Sequence, residues 1–196
     1  MTSTLTYTER ELVERAARGC RESFDAIVDR HYRGVYAHAY RMLGNPDDAA
    51  DATQIAFMKA HRSIGEFDTS RPFRPWLSRI CGNACIDIAR GRHRSDDSLE
   101  KHAYMLEGGE RPQAAAEQAE LQRTIRSAIR RLPERYRRII VLRHYEQMDV
   151  EEIAEVVGAP EGTIKSWLFR ARAILRRELQ PIMETNRNLD DVALGA

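Results

Sequence analysis

A chain of 196 residues with 42% hydrophobic content suits one large domain or two small ones, and its net charge of +1 and isoelectric point near 7.8 mark no partner by bulk charge. No apolar run reaches a membrane span, residues 1–7 have neither a basic nor an apolar leader region, and the three cysteines, Cys20, Cys81 and Cys85, form no CxxC pair. A cytoplasmic protein with no membrane insertion, disulfide framework, metal or cofactor is therefore expected.

The predicted elements are all helical. An amphipathic segment covers residues 9–18, and a second spans residues 24–43 with apolar side chains at every third or fourth step, from Phe24 and Ile27 to Tyr40 and Leu43. Gly44 stops it. Asn45-Pro46-Asp47-Asp48 then offers an N-cap, a first-turn proline and first-turn acids for a third helix reaching about Ile64. Residues 65–72 read as a loop, and a fourth helix over residues 73–92 carries Phe73, Trp76, Leu77, Ile80, Ala84 and Ile88 on one stripe. Cys81 and Cys85 lie one turn apart there, as small buried residues.

From Ser95 to Gln113 the chain turns acidic and loses periodicity, as a mobile linker does. A fifth helix is expected over residues 114–132 and a sixth over residues 134–145. The next segment has the spacing of a helix-turn-helix. Ala154 falls where two helices approach, Gly158 where the chain turns, and Ile153, Val157, Ala159, Ile164 and Trp167 at wedge positions. Pro160 is expected to break the first helix of the pair, and a second helix starts near Glu161. Residues 181–196 read as a disordered tail. The fold class expected is all-α: two small helical domains, residues 1–94 and 114–180, joined by a flexible linker over 95–113, the C-terminal one containing the helix-turn-helix.

Charge is segregated along this frame. Arg71, Arg74, Arg79, Arg90, Arg92 and Arg94 face a single acid, Asp87, in their stretch. Arg123, Arg126, Arg130, Arg131, Arg135, Arg137, Arg138 and Arg143 face only Glu134. Basic blocks of this kind fit phosphate contact.

These residues resemble the extracytoplasmic-function type of bacterial RNA polymerase sigma factor. The run Asp47-Asp48-Ala49-Ala50-Asp51-Ala52-Thr53-Gln54-Ile55-Ala56-Phe57 is similar to the family's acidic segment, and the stretch from Trp76 to Arg90 to its Trp-Leu-Tyr-Arg helix. Leu132-Pro133-Glu134-Arg135-Tyr136-Arg137 and the stretch from Gly162 to Arg172 match the remaining signatures, in the right order. The resemblance implies a transcription initiation factor with no catalytic residue, whose partners are core RNA polymerase (clamp coiled coil and flap), promoter DNA and an anti-sigma factor. It implies core-polymerase contacts at Asp47, Asp48, Asp51, Gln54, Phe57 and Met58, an acid-and-amide face suited to a basic helical partner. Capping explains Asp47 and Asp48 as well.

Contacts to the minus 10 element are expected at Phe67, Arg71, Arg79, Asn83, Asp87, Arg90, Arg92 and Arg94. Asn83 can offer donor and acceptor to a base edge and the arginines can hold phosphates; a side-chain bond between Asn83 and Asp87 is the bland alternative. Contacts to the minus 35 element are expected at Thr163, Lys165, Ser166 and Arg170. Trp167 stands where many relatives carry a basic residue, and it is expected to close the core instead. The competing classes are a helix-turn-helix regulator, which needs a receiver or ligand domain that residues 1–94 show no strand alternation to build, and a sigma-mimicking interaction protein, whose basic surfaces should be eroded.

Overall fold

The computed structural model describes residues 7–94 and 113–183, with side chains described over 7–92 and 120–180. All regular elements among the described residues are helical, and the chain divides into two compact units between the fourth and fifth helices. The expected linker over 95–113 lies outside the described residues except for Gln113, which opens a helix, and residues 184–196 of the expected tail lie outside them too.

Local chemistry sets the helix ends of the first unit. Helix α1 (Glu9–Ala17) opens on a capping box, in which the Thr8 N–H donates to Glu11 Oε2 at 2.7 Å and the Glu11 N–H to Thr8 Oγ1 at 3.3 Å. Helix α2 (Arg21–Leu43) ends where Gly44 takes φ 74°, a left-handed conformation that a Cβ would strain, and its N–H returns 2.8 Å to the Tyr40 carbonyl. Asn45 then caps α3 (Pro46–Ser63): its Oδ1 accepts from the N–H groups of Asp47 at 2.8 Å and Asp48 at 3.1 Å. A single 3-10 turn, Ile64–Glu66, takes the front of the expected loop, and α4 (Phe73–Arg94) runs two residues beyond its expected end.

Helix α3 packs on both α2 and α4, and small side chains allow it. Ala49, Ala52, Ala56 and Ala60 are fully buried along one face, so neighbouring backbones come close. Cys81 and Cys85 occupy the same role on α4. Larger groups fill what remains: Leu12 from α1, Ile27 from α2 and Leu77 from α4.

The second unit uses larger aliphatics. Leu132, Ile139, Ile140, Leu142, Ile153 and Ile164 are nearly or wholly excluded from solvent, drawn from α5 (Gln113–Arg131), α6 (Glu134–Ile140), α7 (Val150–Val157) and α8 (Glu161–Met183) and the segments between them. The sixth helix reaches Tyr145 as expected, but its last five residues, Val141–Tyr145, form a π-helical turn in which the Glu146 N–H reaches back to the Val141 carbonyl at 3.1 Å. Gln147 follows at φ 57°, and Asp149 caps α7 through a reciprocal pair with Glu152. Gly158 at φ 74°, not Pro160, ends α7. Pro160 instead starts α8, its carbonyl accepting from Thr163 and Ile164 at 2.9 and 3.1 Å. Helix α8 continues past Pro181 to Met183, beyond the expected limit of the ordered domain.

Candidate functional site

Helix α3 turns one face to the core and leaves the other to solvent, so the α-helical period sorts the expected polymerase contacts. Asp47, Asp51 and Gln54 are exposed within two turns, and Met58 is 50% exposed one turn further. Phe57 is only 8% exposed, and its ring stacks on Tyr32 of α2 at 6.4 Å and 6°. It therefore holds α3 against α2 and is withdrawn from any partner, a correction that the alanine stripe on its side of the helix could have supplied.

Asp48 is also withdrawn. Its side chain is 13% exposed and its Oδ2 lies 2.7 Å from Nη1 of Arg92 on α4. Burial raises the Asp48 carboxyl above its ordinary value; Arg92 opposes the rise, while Asp51 and Asp47 add to it. Lower down the same helix pair the signs are exchanged, with Lys59 of α3 placed 3.3 Å from Asp87 of α4. Asp87 thus has a lysine partner.

On α4, Arg79, Asn83, Asp87 and Arg90 follow one another at three- and four-residue steps and are all exposed, which places them on one solvent stripe. Arg92 keeps 55% of its side chain in solvent, and the Arg94 side chain lies outside the described residues. Arg71 is exposed at the end of a turn that Asp68 organises, accepting from the Ser70 N–H at 3.0 Å and hydroxyl at 2.6 Å. Those two bonds hold the Asp68 carboxyl below its ordinary value. Phe67 is half-buried against Trp76 at 4.7 Å and Phe73 at 5.8 Å; Phe73 itself is core.

In the second unit α7 and α8 form the helix-turn-helix wedge with Ile153 and Ile164 fully buried and Ala154, Val157, Ala159 and Trp167 packed around them. Trp167 closes the core, as expected. Lys165, Ser166 and Arg170 are exposed on α8 and Thr163 is half-buried. Lys165 Nζ sits 3.0 Å from Glu161 one turn back, and Ser166 Oγ donates to the Gly162 carbonyl at 2.9 Å. Both partners are exposed and exchange readily with a groove. Phe169, at 76%, is the most exposed large apolar side chain among the described residues and lies on this same stripe. Sequence reading missed it, although an aromatic one turn after Lys165 carried the signal.

The second basic block is a correction. Arg138 is 8% exposed and donates to the Val156 carbonyl at 3.3 Å; Arg137 donates to Leu132 at 3.0 Å and Arg143 to Met148 at 2.9 Å. These three arginines saturate carbonyls at helix ends and turns, groups that a helix cannot satisfy itself. Arg131 pairs with Glu178 at 3.5 Å. Arg123, Arg126 and Arg135 remain exposed. Among the described residues no cluster of three or more His, Cys, Asp or Glu could hold a metal, and no helix is long and apolar enough to cross a membrane.

A compact helical unit with a basic stripe, and a second built around a helix-turn-helix whose second helix presents polar and basic side chains, define a DNA-binding protein. The sigma-70 region 2 model matches residues 27–95 and the sigma-70 region 4 model residues 122–175. The chain is 32% identical to the extracytoplasmic-function sigma factor SigW of Bacillus subtilis over 88% of its length and 97% of the relative's. It is 34% identical to the RNA polymerase sigma-H factor of Pseudomonas aeruginosa, over 89% and 95%. Among solved structures, CnrH in complex with the cytosolic domain of CnrY matches with a TM-score of 0.65 at 28% identity, over 91% of this chain and 98% of that one. The sigma factor RpoE of Bartonella quintana in complex with the anti-sigma factor NepR shares the fold at 24% identity and a TM-score of 0.63, over 81% and 98%. The chain belongs to the extracytoplasmic-function sigma factors of the sigma-70 family. It is a promoter-directing transcription initiation factor whose partners are core RNA polymerase and promoter DNA.

Proposed function

We propose a division of labour in which the exposed part of α3 docks on core polymerase, α4 with the 65–72 loop engages the minus 10 element, and α8 engages the minus 35 element. Residues 1–94 carry the first two of these tasks and residues 113–183 the third, the second bounds widened from 114–180 by the observed ends of α5 and α8. The observation that carries the proposal is the difference in sign between the N-terminal half of α3 and the exposed stripe of α4, in which the one acid, Asp87, is answered by Lys59. Asp47, Asp51 and Gln54 occupy the solvent face of α3, and Arg79, Asn83 and Arg90 that of α4. An acidic face suits a basic coiled coil, whereas a basic stripe with an amide in its middle suits phosphates around a base edge. The factor works in the cytoplasm, in a stress or envelope response, and is held by an anti-sigma protein until released.

The test separates docking from reading. Asp51→Arg with Gln54→Ala should weaken core-polymerase association at least tenfold without changing helicity, since opposed like charges cost several kcal/mol. Lys165→Ala with Arg170→Ala should leave that association intact and lower transcription from promoters that need the upstream element, with the deficit relative to wild type narrowing as salt rises, because fewer phosphate contacts mean a flatter salt dependence. If the α8 pair weakens core binding and the α3 pair does not, the assignment is reversed.

A further inference from the structure

Asp48 is the acid that sequence would give to the polymerase, yet it faces α4. A carboxylate with 13% of its side chain exposed is costly unless a cation answers it, and Arg92 does so at 2.7 Å. The pair has an enclosed end and an open end, because the arginine keeps 55% of its side chain in solvent. An arginine that sampled all its rotamers would lose side-chain entropy on being fixed at a phosphate. Fixed in advance by Asp48, it loses less. Of the two side chains the carboxylate is the enclosed one and the arginine the more exposed.

We propose that Asp48 is a positioning residue for promoter recognition: from the start of the polymerase-docking helix it holds Arg92 on α4 in place for a phosphate of the downstream promoter DNA. The inference rests on the proposed reading of α4 as the downstream DNA-binding helix, and it removes Asp48 from the docking surface. It also places one ion pair between the helix read as meeting the polymerase and the helix read as meeting DNA.

The test uses full-length chain and core polymerase at saturating core, with a fluorescent promoter fragment chosen from those the wild-type holoenzyme transcribes. Asp48→Asn keeps the side-chain volume and should leave core affinity within about twofold while weakening promoter retention about three- to tenfold, toward the low end of the couplings seen between contacting residues. Arg92→Ala should weaken retention at least as much, and adding Asp48→Asn to it should cost nothing further. Both single variants should flatten the slope of log affinity against log salt by about one contact, which a purely structural residue would not do. Tighter promoter binding by Asp48→Asn would show that the acid masks Arg92 and overturn the proposal. So would a loss of core affinity with unchanged retention, additive losses in the double variant, or a lowered unfolding midpoint with an unchanged salt slope. Asp48→Ala distinguishes a residual amide bond from a true absence of effect, because it leaves no group to hold Arg92. Failure of the wild-type holoenzyme to retain any transcribed fragment would bring down the division of labour itself.

Discussion

Arginine does different work in the two units, lying exposed along one helix in the first and turning back to backbone carbonyls in the second. In the first unit Arg79, Arg90 and Arg92 lie at exposed positions of one long helix, and Arg92 meets Asp48 of the neighbouring helix. In the second unit short helices and a π-helical turn leave many carbonyls over, and Arg137, Arg138 and Arg143 turn back to Leu132, Val156 and Met148. A basic run is therefore open to phosphate only where its side chains stay exposed and are not drawn to backbone carbonyls.

The largest effect that would break this comparison is at Arg138. Arg138→Met should destabilise the second unit by about 2–3 kcal/mol, since it strips a nearly buried carbonyl of its donor. Arg79→Met in the first unit should stay within about 0.5 kcal/mol, as surface changes do. Chemical denaturation followed by circular dichroism measures both, and equal losses would dissolve the distinction. Next in size is Asn45→Ala, expected to cost about 1 kcal/mol through α3 alone, because two N–H groups lose their acceptor. Hydrogen exchange should then quicken at Asp47 and Asp48 and remain unchanged in α7.

The smallest effect sharpens the comparison by pH. Burial, helped by Arg172 and Arg143, lowers the His144 pKa below its ordinary 6.5. The unfolded chain therefore takes up this proton first as pH falls through about 6.5, so the contribution to stability is complete above that value and declines with acidification. His144→Gln should flatten the unfolding midpoint against pH between 7.5 and 5.5. An unchanged slope would show that other groups set it.

These contrasts also mark what was legible in the sequence. Gly44, Asn45 and Pro46 announced the α2–α3 boundary because each acts on its own backbone, and Gly158 announced the turn for the same reason. The π-helical turn and the positive φ of Gln147 left no such sign, since the exposed glutamine is held by the bonds of its neighbours, Glu146 to Val141 and Met148 to Leu142, and not by its own preference. Arg138 was unreadable for a related reason: whether an arginine is solvated or buried depends on a carbonyl 18 residues away in sequence, at Val156. Phe57 was readable and misassigned; its place beside Ala49, Ala52, Ala56 and Ala60 identified the core face of α3. Asp48 lay between these cases, correctly placed in the first turn but with its partner on another helix.

The most direct measurement is promoter-dependent run-off transcription by core RNA polymerase with and without the purified chain, across a library of genomic fragments. The account predicts discrete transcripts that require the chain, that fall with Lys165→Ala and Arg170→Ala on fragments needing the upstream element, and that vanish with Asp51→Arg and Gln54→Ala at limiting core. No chain-dependent transcript from any fragment, with the chain folded and core active on a control template, would contradict it.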